Sequence, residues 1–409
     1  MDFNTKLILN IIEALCFVPF LYMLTQYIFK KLAEKHDFFS IKLMNRLFFY
    51  HLFFGAVYYT YALFNPSDSK RYFRVPDETS HSWSHFFETG THFIDFVSYP
   101  FIKYLGFTYE MMMLMFTWVG FLGFVYAYLF FKENISFKIN VFKRIDLLTL
   151  ILFLPNMHFW TSSLGKGAPI FLGLMMFAYA ITKPEKRLIS LVAGSLLVFS
   201  IRPHIFLLMA VGALVGLMLC RHSISWQKKM TFFGVIAVIL LIFQKQILSV
   251  VHLNNSTNLI ADFVEFTSNR AEKLDNAGSG VNMTDYSLAG KFFTFWFRPL
   301  FFDAPGILGI IVSIENLIYL LLFGKIFKIS FLKFLKKAPA HVKMSLALFL
   351  LTSFAMTFVM SNLGIIMRQK SMIMYFLFFV IYYFLAEEKG LTIKMNTNRH
   401  QPERLKNAA

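Results

Sequence analysis

Charge is scarce in this 409-residue chain: 15% of residues are Asp, Glu, Lys or Arg and 57% are hydrophobic, against about 25% and about 45–50% in an ordinary globular protein. Cysteine is nearly absent. Cys16 and Cys220 alone exclude a disulfide framework. The shortage of charge excludes a disordered chain and a soluble enzyme wrapped in a polar shell. A phosphate loop of the G-x-x-x-x-G-K-[ST] type is also missing, and Leu164-Gly165-Lys166-Gly167 is too short to make one. With no H-E-x-x-H, and no close Cys/His spacing at His85, His92, His158 or His204, no metal site is expected, although a divalent ion stays open. What remains is a polytopic membrane protein, whose backbone groups in hydrocarbon are satisfied by helices or a closed barrel. Long apolar runs without period-two alternation select helices.

The expected fold is therefore all-α, with about eleven transmembrane helices: Leu7–Phe29, Leu47–Phe64, Met111–Phe131, Leu147–Trp160, Ile170–Thr182, Leu188–Ser200, Ile205–Cys220, Thr231–Phe243, Gly306–Phe323, Met344–Met360 and Ser371–Leu385. One integral membrane domain covers residues 1–390, and 391–409 is a short cytoplasmic tail. With the N-terminus outside, 26 of the 40 Lys and Arg fall in cytoplasmic connections, as the positive-inside rule requires. The net charge of +17 is then a topology signal, and nucleic acid is not an expected partner. The first apolar run is long, has no basic leader and is followed by Lys30, Lys31 and Lys35, so it reads as a retained anchor and not a signal peptide.

Two outer connections, 65–110 and 248–305, are longer than joining two helices requires. The first opens on Asn65-Pro66-Ser67-Asp68 and becomes aromatic from His81 to Leu105, a pattern for one or two short helices at the headgroup level. They would form either a lid over an amphiphilic substrate or a cap on the bundle. The second has a polar middle, Asn254–Ser287, with sequon matches at Asn254, Asn255 and Asn282 that read as chance. It closes with an Arg set among bulky apolar residues, Phe295-Trp296-Phe297-Arg298-Pro299.

Spans four to six hold only 14, 13 and 13 residues, whereas about 20 are needed to cross the hydrocarbon. Their connecting turns, 158–166 and 202–204, therefore dip toward membrane depth. The outer side thereby gathers Lys166, Arg202, Arg298, Arg368 and Lys370 in stretches poor in acid apart from Asp303. Cations displayed against the positive-inside gradient fit a phosphate or diphosphate, because the guanidinium fork matches phosphate oxygens. Pairing with outer carboxylates or snorkelling is the plainer reading. Glu13 and Glu315, inside spans, need either a partner within the bundle or a role in proton transfer.

Several short motifs, in order along the chain, resemble the multi-span enzymes that build bacterial surface glycans from polyprenyl-diphosphate sugars, above all the Wzy-like and EpsG-like polymerases of GT-C type. They are Asp68-x-x-x-Tyr72, His158-Phe159-Trp160-Thr161-Ser162-x-x-Gly165-Lys166, Ile201-Arg202-Pro203, Phe297-Arg298-Pro299 with Phe302-Asp303-Ala304, and Asn362-x-Gly364-x-x-x-Arg368-Gln369-Lys370. In one departure, Gly167 stands where such sequences often carry an acid after the lysine.

The resemblance implies a glycosyltransferase or polymerase of the bacterial cytoplasmic membrane, making exopolysaccharide, O-antigen or capsule at the outer face. A sugar hydroxyl would attack the anomeric carbon of a lipid-linked glycan and expel polyprenyl diphosphate. Partners would be that glycan, the bilayer and other polysaccharide-assembly proteins. Catalytic roles then fall to Arg202, Arg298 and Arg368, which stabilise the leaving group, and to Asp68 as base, with Asp77, Glu78 and Asp303 as rivals. Substrate contacts fall to Tyr72, His158, Lys166, His204, Asp303 and Lys370. Tyr72 could equally pack, His85 and His92 could also orient sugars, and Asp68 could simply pair with Arg71. A transporter or flippase of the same glycan, or a noncatalytic membrane subunit, are the alternatives; no inverted repeat favours transport.

Overall fold

The computed structural model describes residues 3–219, 286–304, 306–357 and 362–406, with six further positions from 227 to 283, and side chains as far as Thr392. The expected span Thr231–Phe243 except Gly234, Cys220, the sequons and most of the second outer connection lie outside the described residues. The described fold is helical apart from a short β-ladder, in which β1 (Asn140–Val141) pairs antiparallel with β2 (Ile145–Asp146), and one isolated antiparallel bridge between Gly280 and Asn362. Six helices are long and apolar enough to cross a membrane: Leu7–Lys35, Ile41–Phe64, Tyr109–Asn134, Gly306–Ile326, Ala340–Thr357 and Leu363–Thr392. Four shorter apolar helical stretches, Leu147–Thr161, Gly167–Ile181, Leu188–Ile201 and Pro203–Met218, lie where shorter spans were expected and fall below that length.

In chain order the helices are α1 (Phe3–Lys35), α2 (Ile41–Phe64), α3 (Asp68–Glu78), α4 (Thr91–Tyr99), α5 (Tyr109–Asn134), α6 (Leu147–Leu152), α7 (Pro155–Thr161) and α8 (Gly167–Ile181). They continue as α9 (Leu188–Ile201), α10 (Pro203–Met218), α11 (Leu288–Phe297), α12 (Gly306–Phe323), α13 (Ile329–Lys337), α14 (Ala340–Thr357) and α15 (Leu363–Lys406). Local chemistry sets many of the boundaries. Ser40, Ser67, Thr108, Asp146 and Ser287 each accept a first-turn backbone N–H on the side chain, satisfying donors that a helix start leaves open. Pro155, lacking an N–H, separates α6 from α7 and occupies the first turn of α7. The 65–108 connection does contain short helices, α3 and α4 with single turns at Trp83–Phe86 and Pro100–Tyr104.

Two helices form the centre. From Met372 to Ile381 α15 is buried at every residue, and α5 packs beside it, with Phe130 stacked on Phe379 at 4.1 Å. Gly120 of α5 admits α7, since a β-carbon there would lie 2.0 Å from the Thr161 carbonyl oxygen. Outward faces remain apolar, as with Ile8, Ile12 and Leu15 of α1 and Ile307, Ile311 and Ile314 of α12, which suits a hydrocarbon solvent. Glu13 is exposed on α1, so it does not find a partner inside the bundle.

Connections gather at two ends. At one, Gly90 N–H donates to Ser200 O, Lys166 reaches Thr91 and Arg368 reaches Asp68, so the 65–108 connection lies over the α7–α8 and α9–α10 turns and the start of α15. At the other, Glu133 pairs with Lys183 and Arg187, Lys328 with Glu388, and Lys389 donates to Lys138 O. This places the expected outer connections together and the lysine-rich ones opposite.

Candidate functional site

The α7–α8 turn, 162–165, is buried, and Lys166 at its end is half-buried. Lys166 Nζ donates to Thr91 Oγ1 at 2.8 Å. Arg202, held where α9 gives way to α10, donates to the Gln369 side-chain oxygen. Arg368, one residue earlier on α15, bonds Asp68 Oδ2 at 3.1 Å and lies over the Trp160 ring at 5.8 Å. These three cations, dispersed over 203 positions of sequence, influence one another electrostatically. Burial, then Arg202 and Arg368, lower the Lys166 ammonium to about 8.

A fourth cation belongs to the same neighbourhood. Arg71 makes a two-pronged pair with Asp95, at 3.1 and 2.9 Å, and His92 Nδ1 stands 3.6 Å from the same carboxylate. Asp95 is fully buried, and burial lifts its carboxyl above the ordinary range even against Arg71. Asp68 therefore pairs with Arg368, from 300 residues away, and not with its near neighbour Arg71. Tyr72 is buried beside Gly165. Burial, then the charge of Asp68, raises its phenol, so it packs under the site as a neutral group.

The Gly167 departure has a steric cause. A β-carbon there would lie 2.2 Å from the Trp160 carbonyl oxygen, closer than any carbon can approach. With this turn, no acid can follow Lys166.

Arg298 belongs to a second group. Its guanidinium pairs with Asp303 and donates to Tyr286 at 3.3 Å, while Asp303 Oδ1 accepts from Leu300 N–H at 2.6 Å. Lys370 fastens this loop from below: its ammonium donates to Arg298 O at 2.6 Å and Asn316 Oδ1 at 2.7 Å, with Trp296 O at 3.4 Å, and the residue is fully buried. Asn316 in turn donates to Pro299 O at 2.6 Å. All three Lys370 protons have acceptors within the protein, so its expected substrate contact gives way to a structural one. Successive residues of one helix diverge by about 100°, and so Arg368 and Gln369 serve one group while Lys370 serves the other.

Of the histidines, His158 is also turned away. Its Nδ1 lies 2.9 Å from His51 Nδ1, its Nε2 2.7 Å from Leu152 O, and its ring stacks on Phe124 at 4.0 Å. It is a core residue, fully buried, and both ring nitrogens are engaged by the protein. His204, half-buried in the first turn of α10, stays two residues from Arg202. No group of three or more His, Cys, Asp or Glu capable of holding a metal occurs among the described residues.

Sequence reasoning passed over Asp95 and, in the polar set behind Lys370, Asn156 and Asn316. There Glu315 accepts from Asn156 N–H at 2.8 Å and from the Tyr319 hydroxyl, and Asn156 donates to Met367 O at 2.9 Å. Glu315 thus has the bundle partners expected of it. The legible signal was Glu315-Asn316 inside an apolar helix; Asn156 carried none.

Four bases, Lys166, Arg202, Arg368 and Arg71, face two carboxylates, Asp68 and Asp95. The surplus positive charge, partly removed from water, favours an anion with several oxygens, and arginine offers paired donors to it. Compared with known proteins, the chain matches no family model, no curated protein and no solved structure at a significant level.

Proposed function

We propose that this chain is a glycosyltransferase or polysaccharide polymerase of the bacterial cytoplasmic membrane. It crosses the bilayer about eleven times, with its N-terminus outside and its C-terminal tail in the cytoplasm. In this reading the described body, with its two outer connections, is one membrane domain. The donor is a polyprenyl-diphosphate-linked glycan, and the diphosphate occupies the cluster of Lys166, Arg202 and Arg368. One observation carries the proposal: three bases, two from separate helix junctions and one from α15, converge beside the exposed carboxylate of Asp68. Fixed cations suit this reaction because negative charge grows on the leaving diphosphate, and preorganised donors stabilise the transition state more than the ground state.

Asp68, 64% exposed and ion-paired to Arg368, stands next to that charge and is the candidate acceptor of the attacking hydroxyl's proton. Arg298 belongs to the loop that Lys370 secures, and it serves the sugar or the second phosphate. The short helices of the 65–108 connection, with Trp83 and Phe87 exposed, suit the headgroup level, where they would cover the polyprenyl donor.

The test is glycan length in cells that depend on this chain. Arg202→Ala and Arg368→Ala each abolish long-chain glycan at unchanged protein level, and the corresponding Lys variants recover little because the two-pronged contact is lost. Normal chain length in both alanine variants would remove the enzyme assignment and leave transport or a subunit role.

A further inference from the structure

A second concentration of positive charge lies at the opposite end of the bundle, on α13. One side of this helix is fixed to α15. Phe331 and Phe334 are buried against Phe384, with ring centroids 5.2 and 5.4 Å apart, and Lys328 and Ser330 both reach Glu388 at 2.9 Å. The other side has no such cover among the described residues. Ile329 is 77% exposed and Leu332 63%, with Phe327 exposed just before the helix. Lys325, Lys333, Lys336 and Lys337 are exposed around them.

At about 100° per residue, Ile329, Leu332, Lys333 and Lys336 share one side of the helix. Large apolar side chains turned outward mark the level of the acyl chains in a membrane-bound chain, and lysines on the same side stand at the headgroups, their stems lying along the apolar surface. None of the four lysines forms a salt bridge to a described residue, and Glu387 acts on Lys337 only at longer range. Lys343, nearby, is engaged by the carbonyls of Leu219 and Lys336. The side thus presents bare ammonium groups beside an apolar stripe, the complement of an acidic phospholipid.

We infer that α13 is a binding site for an anionic phospholipid headgroup, with Lys333, Lys336 and Lys337 contacting the phosphate and Ile329 and Leu332 seated among its acyl chains. No residue of the candidate catalytic cluster takes part, so the site stands whether or not the chain transfers sugars.

The experiment titrates the purified full chain in mild detergent with phosphatidylglycerol or phosphatidylcholine, and counts bound lipid by native mass spectrometry. The wild type prefers phosphatidylglycerol. Each lysine near an anionic surface is worth about a fivefold preference, which screening reduces, so Lys333→Ser, Lys336→Ser and Lys337→Ser together weaken phosphatidylglycerol binding by about tenfold or more. A control with Lys30→Ser, Lys35→Ser and Lys186→Ser removes the same charge elsewhere at this end and keeps the preference. Equal loss in both variants, unchanged binding in the α13 variant, equal affinity for the two lipids, or displacement of the lipid by millimolar inorganic phosphate would each overturn the assignment. All three substituted side chains are exposed, and an unchanged melting temperature without lipid verifies that the fold is intact.

Discussion

Arg368 and Lys370 are two residues apart on α15 and carry the same charge, yet their removal should have opposite consequences. Lys370→Met keeps a long apolar side chain and deletes the ammonium. It strips a donor from Arg298 O and Asn316 Oδ1, bonds of 2.6 and 2.7 Å in a fully buried place. Hydrogen bonds to a charged group are worth about 1.5–3 kcal/mol each. Relief from burying an ion offsets part of this, and removing one partner of a buried polar set typically costs about 3–5 kcal/mol. At about 2.1 cal/mol/K of unfolding entropy per residue, 409 residues convert that to a melting-temperature drop of roughly 3–6 °C. Membrane helices retain structure on unfolding, so the observed drop is at least about that large. The Arg368–Asp68 pair is different: its side chains are 23% and 64% exposed, and such a pair is worth at most about 1 kcal/mol. Arg368→Ala should therefore melt within about 1 °C of wild type while losing long-chain glycan. Intrinsic tryptophan fluorescence of solubilised protein follows both, since Trp296 lies beside Lys370 and Trp160 beside Arg368. The division of labour along α15 fails if Lys370→Met melts with the wild type, or if Arg368→Ala falls as far.

Three further outcomes are open to measurement. Lys166 should lose its proton near pH 8 and not near its ordinary 10.5. Anion binding by the cluster then weakens as pH rises through 8, whereas fold stability rises between about 8 and 10.5, because there the unfolded chain holds the proton that the folded one has released. Arg202→Ala should move the binding midpoint upward, by removing a cation that depresses Lys166, and a binding profile from pH 6 to 10 would detect it. Gly167→Asp, which installs the missing acid, should lower the melting temperature, because its β-carbon would overlap the Trp160 carbonyl and overpacking against backbone costs about 1–3 kcal/mol or more; a thermal melt of the solubilised protein reads the loss. Asp68→Asn removes a base while keeping a hydrogen-bond partner for Arg368, so loss of glycan at unchanged protein level supports base catalysis, and full activity removes Asp68 from the mechanism.

The membrane class and all-helical make-up were legible in composition and in apolar runs, since exclusion of charge from hydrocarbon acts on every residue of a span. The shortness of the helices on either side of the Arg202 turn was legible too: α9 and α10 hold 14 and 16 residues, fewer than the about 20 that cross the hydrocarbon. Short helices in the 65–108 connection followed from its aromatic stretch His81–Leu105, which holds α4, whereas α3 falls in the segment that read as a turn. Arg202, Lys166 and Arg368 stood out in the sequence as cations against the expected charge gradient, and the fold brings them close enough to act on one another. Partner choice was not legible. Asp68 selected Arg368 over Arg71, and Asp95 claimed Arg71, because packing of α3 on α4 and α5, and of α4 on α9, set the distances. His158 and Lys370 read as site residues by motif and proved to be interior ones, since a motif records neighbours in sequence and says nothing of which way a side chain points. Solvent quality is written locally, residue by residue, so the sequence alone determined what dissolves in lipid. Convergence of charges is a property of helix rotation and crossing, a collective result of packing, and the tertiary structure alone decided it.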